Sequence, residues 1–196
     1  MKPNKRVFVY CEGITEYLYA KSLQETLPRS AQRQIKIEYN YDLDNEPATM
    51  IKKALSLVKE AKRDKVPYDD VWLFFDNDNR QNLEIVFSRI EKEGFKFSFS
   101  SISIEHWFIL HFEECGKSFS SPQEAERYLK KLWPEYHKTK VKHYDYLQDK
   151  IERAIHHAHK IKKNTDPDIP ISRKNPYFTV DELISFFRKL MEASNI

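Results

Sequence analysis

Four carboxylates, Glu12, Glu16, Asp76 and Asp78, follow closely on two short apolar runs, Val7-Phe-Val-Tyr-Cys11 and Val71-Trp-Leu-Phe-Phe75. Runs of this length, rich in Val, Phe and Trp and followed at once by turn residues, read as buried strands with acidic C-terminal ends. In an open parallel sheet that edge is where ligands bind. Acidic groups gathered there repel one another, and a hard divalent cation bound through oxygen is the ordinary relief. The chemistry on offer is therefore that of a magnesium or manganese site. Asp76 and Asp78 lie two positions apart, so in a continuing strand both project to the same side and can share an ion. Glu12 joins them if its strand lies beside the one ending at Phe75, and Glu16 follows one helical turn later. Magnesium held by a few carboxylates keeps waters and takes substrate phosphates, which suits phosphoryl chemistry. Taken singly each motif is weak: Asp-x-Asp at a strand end is often only a turn and cap, and Glu-Gly carries almost no information.

The elements that must position these groups alternate. After the first strand, Thr15 to about Leu27 is helical by period and stops at Pro28, with Gly13 making the strand-to-helix turn. Residues 34–41 read as a strand that sets Ile35, Ile37, Tyr39 and Tyr41 on one face, and Pro47 to Lys65 as an amphipathic helix. The strand Val71 to Phe75 follows, then a helix from Leu83 to Glu93 closed by Gly94, then a strand from Phe95 to Ile102. This succession predicts an α/β fold: a parallel sheet of about four strands, helices on both faces and right-handed crossovers. Beyond it the pattern turns helical, over Glu105 to Glu113, Pro122 to Trp133, His143 to Lys163 and Val180 to Ala193, with a loop from Asn164 to Pro176. The expected division is an α/β core over 1–115 that carries the acidic groups and a helical C-terminal extension over 116–196 packed on it.

At 196 residues the chain suits one domain with an extension. Its 40% apolar and 14% aromatic content excludes wholesale disorder, because such residues offset chain entropy. A formal charge of +3 is compatible with nucleic acid without requiring it, and the basic residues concentrate after Lys130. Two cysteines, Cys11 and Cys115, lack a CxxC spacing and read as free thiols in a reducing cytosol. No stretch has membrane-spanning length and no signal-peptide hydrophobic region precedes the first strand, so a soluble cytoplasmic protein is expected.

Several other residues could do chemistry. Glu105 directly follows the fourth strand, placed to point at the same acidic cluster; the plain alternative is a first-turn carboxylate favoured by the helix dipole. His106 and His111 are separated by about 500° of helical rotation, which disfavours a shared metal. His156 and His159 share a helix face, but no Cys or carboxylate of matching spacing accompanies them. Lys138, Lys140 and Lys142 alternate with Thr139 and Val141 near Tyr136, Tyr144 and Tyr146, a mixture that suits a phosphate backbone and stacked bases. A solvated basic turn would look the same.

Taken together, Glu12-Gly13 after the first strand, Asp76-x-Asp78 after the third and the alternating elements between them resemble a Toprim domain, the catalytic module of topoisomerases, primases and overcoming-lysogenization-defect nucleases. More closely, Cys11-Glu12-Gly13-x-Thr15-Glu16, Phe75-Asp76-x-Asp78 and Glu105-x-Trp107-x-x-x-His111-Phe112 resemble the RloB family over nearly the whole chain. Proteins similar to RloB usually carry Asn-Pro ahead of Glu-x-Trp, where this chain has Ser101-Ile102, and their later Asn-Pro-x-Thr appears here as Asn175-Pro176-Tyr177-Phe178-Thr179. The resemblance implies a metal-dependent nuclease of bacterial restriction and phage-defence loci, commonly beside an ATPase partner, with association into homo-oligomers open. By the family's pattern Glu12 would be general base or metal ligand, and Asp76 and Asp78 would hold magnesium against the scissile phosphate. Glu105, from its place after the fourth strand, is a further catalytic candidate, and Glu16 is a further ligand candidate. Two other functions compete. A partner-binding subunit could retain the fold without catalysis. A receiver-like phosphotransfer domain would need an acidic pair after the first strand and a lone Asp after the third, which this chain lacks. It also has no Walker A loop to hydrolyse nucleotide itself.

Overall fold

The computed structural model of the chain describes residues 5–39, 46–140 and 142–194. The expected Tyr41 of the second strand and Val141 of the basic turn lie outside them. Strand β1 (Val7–Cys11) leads into α1 (Ile14–Glu25) and the short α2 (Arg29–Gln32), followed by β2 (Ile35–Tyr39) and α3 (Pro47–Arg63). Then come β3 (Asp70–Asp76), α4 (Leu83–Lys92), β4 (Lys96–Ser101) and α5 (Ile104–Ile109). The remainder holds α6 (Pro122–Leu132), α7 (His143–Leu147), α8 (Ile151–Asn164), β5 (Tyr177–Phe178) and α9 (Val180–Ser194). The sheet order is β2-β1-β3-β4-β5, parallel except for β5. Among the described residues no helix is long and apolar enough to cross a membrane.

The near-continuous apolar runs of β1 and β3 result from burial on both faces. Val7, Val9 and Cys11 of β1, with Trp72 and Phe74 of β3, belong to one core with residues of α1, α5, α8 and α9. Phe8 and Tyr10, with Val71, Leu73 and Phe75, face a second core built on α3 and α4. The side-chain period of two divides each strand between these cores. α4 ends as its sequence requires: Gly94 takes φ +68° and its N–H donates to the Glu91 carbonyl at 3.0 Å, a left-handed close that a Cβ would penalise.

The departures lie where tertiary contact overrides the local pattern. The helix expected over Glu105 to Glu113 ends at Ile109, because Leu110 and His111 donate back three residues, to Trp107 and Phe108, and tighten the last turn. The long helix expected from His143 is broken by a 3₁₀ turn at Gln148–Lys150. The fifth strand was not visible as a pattern at two residues. It is specified instead by contacts with β4: Thr179 donates its N–H to Phe99 O at 2.8 Å and accepts the Phe99 N–H on Oγ1 at 2.9 Å. Tyr177 N–H donates to Ser101 Oγ at 2.8 Å.

Candidate functional site

The site is built where β1, β3 and β4 end together. β1 lies directly beside β3 with Cys11 opposite Phe74, and β3 lies beside β4 with Asp76 opposite Ser100. Glu12 extends the ladder by one bond, donating its N–H to Phe74 O at 2.8 Å. Its carboxylate turns back across the strand ends: Oε2 accepts the Asp76 N–H at 3.1 Å and Oε1 is paired with the Arg80 guanidinium. Glu16 arrives from the first turn of α1. A Cβ on Gly13 would stand 3.1 Å from Glu16 Oε2, so a side chain here would push the Glu16 carboxylate aside by a few tenths of an ångström, although the φ of −140° is open to any residue. Glu105, the second residue of α5, is buried and accepts from Tyr136 Oη at 2.8 Å, with Lys138 Nζ at 3.3 Å. These groups line one open cavity of about 320 Å³ at the C-terminal edge of the sheet, where α/β folds bind ligands.

Burial sets the electrostatics. It raises Asp76 well above the usual carboxylate range, and repulsion from Glu12, Glu16 and Glu105 adds to the effect. Glu16 is pushed up to about 8, by burial first and then by Glu12 and Glu105, against the pull of Lys138. Glu12 stays raised by burial although Arg80 pulls it back. Burial works against the charge on Arg80, and Glu12, Asp76 and Asp78 outweigh it. Lys138 likewise keeps its charge despite burial, held by Glu105 and Glu126. The donor set is all carboxylate oxygen and its members destabilise each other's charge, which is what magnesium or manganese would relieve. The chemistry of the residues therefore fits a hard divalent cation. Among the described residues, however, no three His, Cys, Asp or Glu side chains already stand in an arrangement that would hold an ion.

A family model for RloB-like protein matches residues 7–187. The chain belongs to the RloB-like family. No curated protein and no solved structure matches it. In this RloB-like chain the Glu105-x-Trp107 element is anchored by Trp107, fully buried, whose Nε1 donates to Tyr19 Oη on α1 at 3.1 Å. The turn before it, at Ser101-Ile102, is a cis peptide, as is Asn175-Pro176. The Asn-Pro-Tyr-Phe-Thr element supplies β5 and, through Asn175 Nδ2 to Phe119 O at 2.9 Å, joins the far edge of the sheet to the segment before α6.

Of the residues singled out from sequence, Glu12, Glu16, Asp76, Asp78, Glu105 and Lys138 all border the cavity. Asp78 does so from the rim, half exposed. The same-side argument for Asp76 and Asp78 does not operate, because β3 stops at Asp76 and Asp78 takes a left-handed φ of 44°. Lys140 and Lys142 do not line this cavity: Lys140 is exposed, and Lys142 pairs with Glu25 at 3.2 Å. Two of the three neighbouring tyrosines, Tyr136 and Tyr144, are core residues, and the third, Tyr146, stacks on Trp133. Among the described residues no histidine lines the cavity: His106 bonds Cys115 O at 3.0 Å, His111 bonds Trp107 O at 3.1 Å and His159 meets Asp181 at 3.0 Å. Sequence reasoning missed Arg80. The signal is present, since it is the first cation after Asp-x-Asp, but the density of basic residues in the C-terminal third outweighs a lone arginine.

Proposed function

We propose that this chain is a magnesium- or manganese-dependent nuclease, hydrolysing phosphodiester bonds of DNA or RNA in the cytoplasm. We further propose that it serves a bacterial phage-defence or restriction-associated locus beside an ATPase partner. The observation that supports this reading is the meeting of buried Glu12, Glu16 and Glu105 and half-buried Asp76 with two cations, Arg80 and Lys138, in one cavity at the strand ends. Glu12, Asp76 and Asp78, with Glu16 beside them, would hold the ion. When bound, such an ion supplies positive charge to the attacked phosphate and acidifies a water near neutral pH.

The chain's own residues do the rest. Glu105 is fixed by Tyr136 and in turn holds the ammonium of Lys138 at the cavity, so a positive charge faces an incoming phosphate without reorganising. Thr15 Oγ1 lies 3.5 Å from the Lys138 carbonyl, tying the lysine's backbone to α1. Arg80 presents a planar fork suited to two phosphate oxygens. Burial of Glu12 and Glu16 keeps bulk water from competing for them. The test is cleavage of single- and double-stranded DNA and RNA by purified protein, alone and with the neighbouring ATPase, in magnesium or manganese. Asp76→Asn is expected to lower the rate by about a hundredfold or more, the scale of removing one preorganised electrostatic group. Full activity in a variant carrying both Asp76→Asn and Glu12→Gln would refute the proposal.

A further inference from the structure

We propose that Arg80 is a displaceable stand-in for the divalent ion, occupying the carboxylates in the metal-free protein and turning onto a substrate phosphate once an ion binds. The inference rests on the metal-dependent reading above and assigns this arginine a place in its cycle. Arg80 Nη2 is paired with Glu12 Oε1 and lies 3.9 Å from Asp78 Oδ2. The three side chains whose charges hold its own are Glu12, Asp76 and Asp78, the same three expected to bind the ion. The guanidinium already pairs with Glu12 Oε1, and its positive charge repels a cation bound to the same carboxylate, so the two occupants compete. Glu12 and Asp78 here flank a wide, planar N–H donor, whereas magnesium demands oxygens at about 2.0–2.1 Å in near-octahedral order. That difference accounts for an acidic cluster of the right chemistry that is not yet an ion cage.

The other half of the guanidinium is unused. Nη1 is buried with no hydrogen-bond partner, an uncommon and costly condition for a charged donor. Arg80 also stands in the wall between the carboxylate cavity and a second one of about 320 Å³ lined by Gln81, Asn82, Ser172 and Arg173. Once the side chain turns, its donors become available to an anion in either cavity. The turn that carries Arg80 is pinned, since Asn77 and Asp78 donate to Ser100 O at 3.2 Å and Ile102 O at 2.9 Å, and Asn79 Nδ2 donates to Ser120 O at 2.7 Å. The exchange of partners therefore needs only the side chain's own rotations. It links the two ligands: the ion frees the arginine, and the phosphate gives the freed arginine a new partner.

Calorimetric titration of the full chain with Mn²⁺, without nucleic acid, tests this. Arg80→Gln is expected to bind Mn²⁺ about tenfold or more tightly than wild type, since a competing unit charge leaves the site. Arg80→Lys, which keeps a charge but loses the fork, is expected to fall between the two. In EDTA the Arg80→Gln protein should melt below wild type, because Glu12 loses its partner, and Mn²⁺ should raise its Tm by more than it raises that of wild type. Wild type that binds Mn²⁺ with an affinity unchanged or weakened in both variants overturns the stand-in role while leaving the metal reading intact. Absence of binding in all three proteins removes the metal reading itself.

Discussion

Glu16→Gln removes the cost of burying a charge beside other carboxylates in this cavity. Glu16 is buried and its folded-state value is raised from the ordinary 4.5 to about 8. Between those values the native state holds a proton that the unfolded chain has released, so stability falls as pH rises. The Glu16 contribution is thus fully present below pH 4.5 and is lost by pH 8. A shift of that size corresponds to an upper limit of about 5 kcal/mol. Glu12 and Asp76 relieve part of the repulsion when they take up protons themselves, so about 2–3 kcal/mol is expected at Glu16 alone. Glutamine keeps the shape and removes the titration. Urea unfolding in EDTA should find variant and wild type nearly equally stable at pH 4.5, with the variant ahead by the full amount above pH 8. Saturating Mn²⁺ should shrink the difference by stabilising the wild-type carboxylates. Two stability curves that run parallel across this range, with no growing gap, would refute the raised value at Glu16 and with it the joint effect of burial and repulsion.

His106 acts with the opposite sign. Burial lowers His106 from 6.5 to about 4, so stability is expected to fall as pH drops below 6.5 and to have lost about 3 kcal/mol by pH 4, a slope that His106→Gln removes in the same urea series. Tyr136→Phe strips buried Glu105 of a donor at 2.8 Å and should cost about 1–3 kcal/mol in urea unfolding, with a lower cleavage rate if Glu105 positions Lys138. Gly13→Ala has an accessible backbone but sets its Cβ 3.1 Å from Glu16 Oε2; a Tm change of a few degrees with a larger loss of Mn²⁺ affinity is expected from paired melting and calorimetry.

Much of the fold was legible because its signals are local. Period two in the apolar runs, period 3.6 in Pro47–Arg63 and the Gly94 stop each depend on a few neighbouring residues. Elements held only by distant partners were not legible. β5 exists through Phe99, Ser101 and Thr179, in pairings 76 to 80 residues apart in sequence, and two residues contain no period to read. α5 is buried all round, so it lacks the amphipathic stripe that would have marked its early end at Ile109.

For the site, the amino-acid order alone pointed to which groups sit at strand ends, since a short run rich in Val, Trp and Phe such as Val71–Phe75 reads as a buried strand and the residues after it emerge at the sheet edge. That places Glu12, Asp76 and Glu105 at the edge. It could not determine that β1 and β3 are neighbours, that Asp78 turns left-handed to the rim, or that Lys138 comes back 33 residues after Glu105 to face it. Nor did it bring out Arg80, whose role depends on a carboxylate 68 positions away. The reason is physical: strand adjacency and the pairing of buried charges are decided by packing and desolvation of the whole chain, which are properties of distances in space and leave no mark on spacing in sequence.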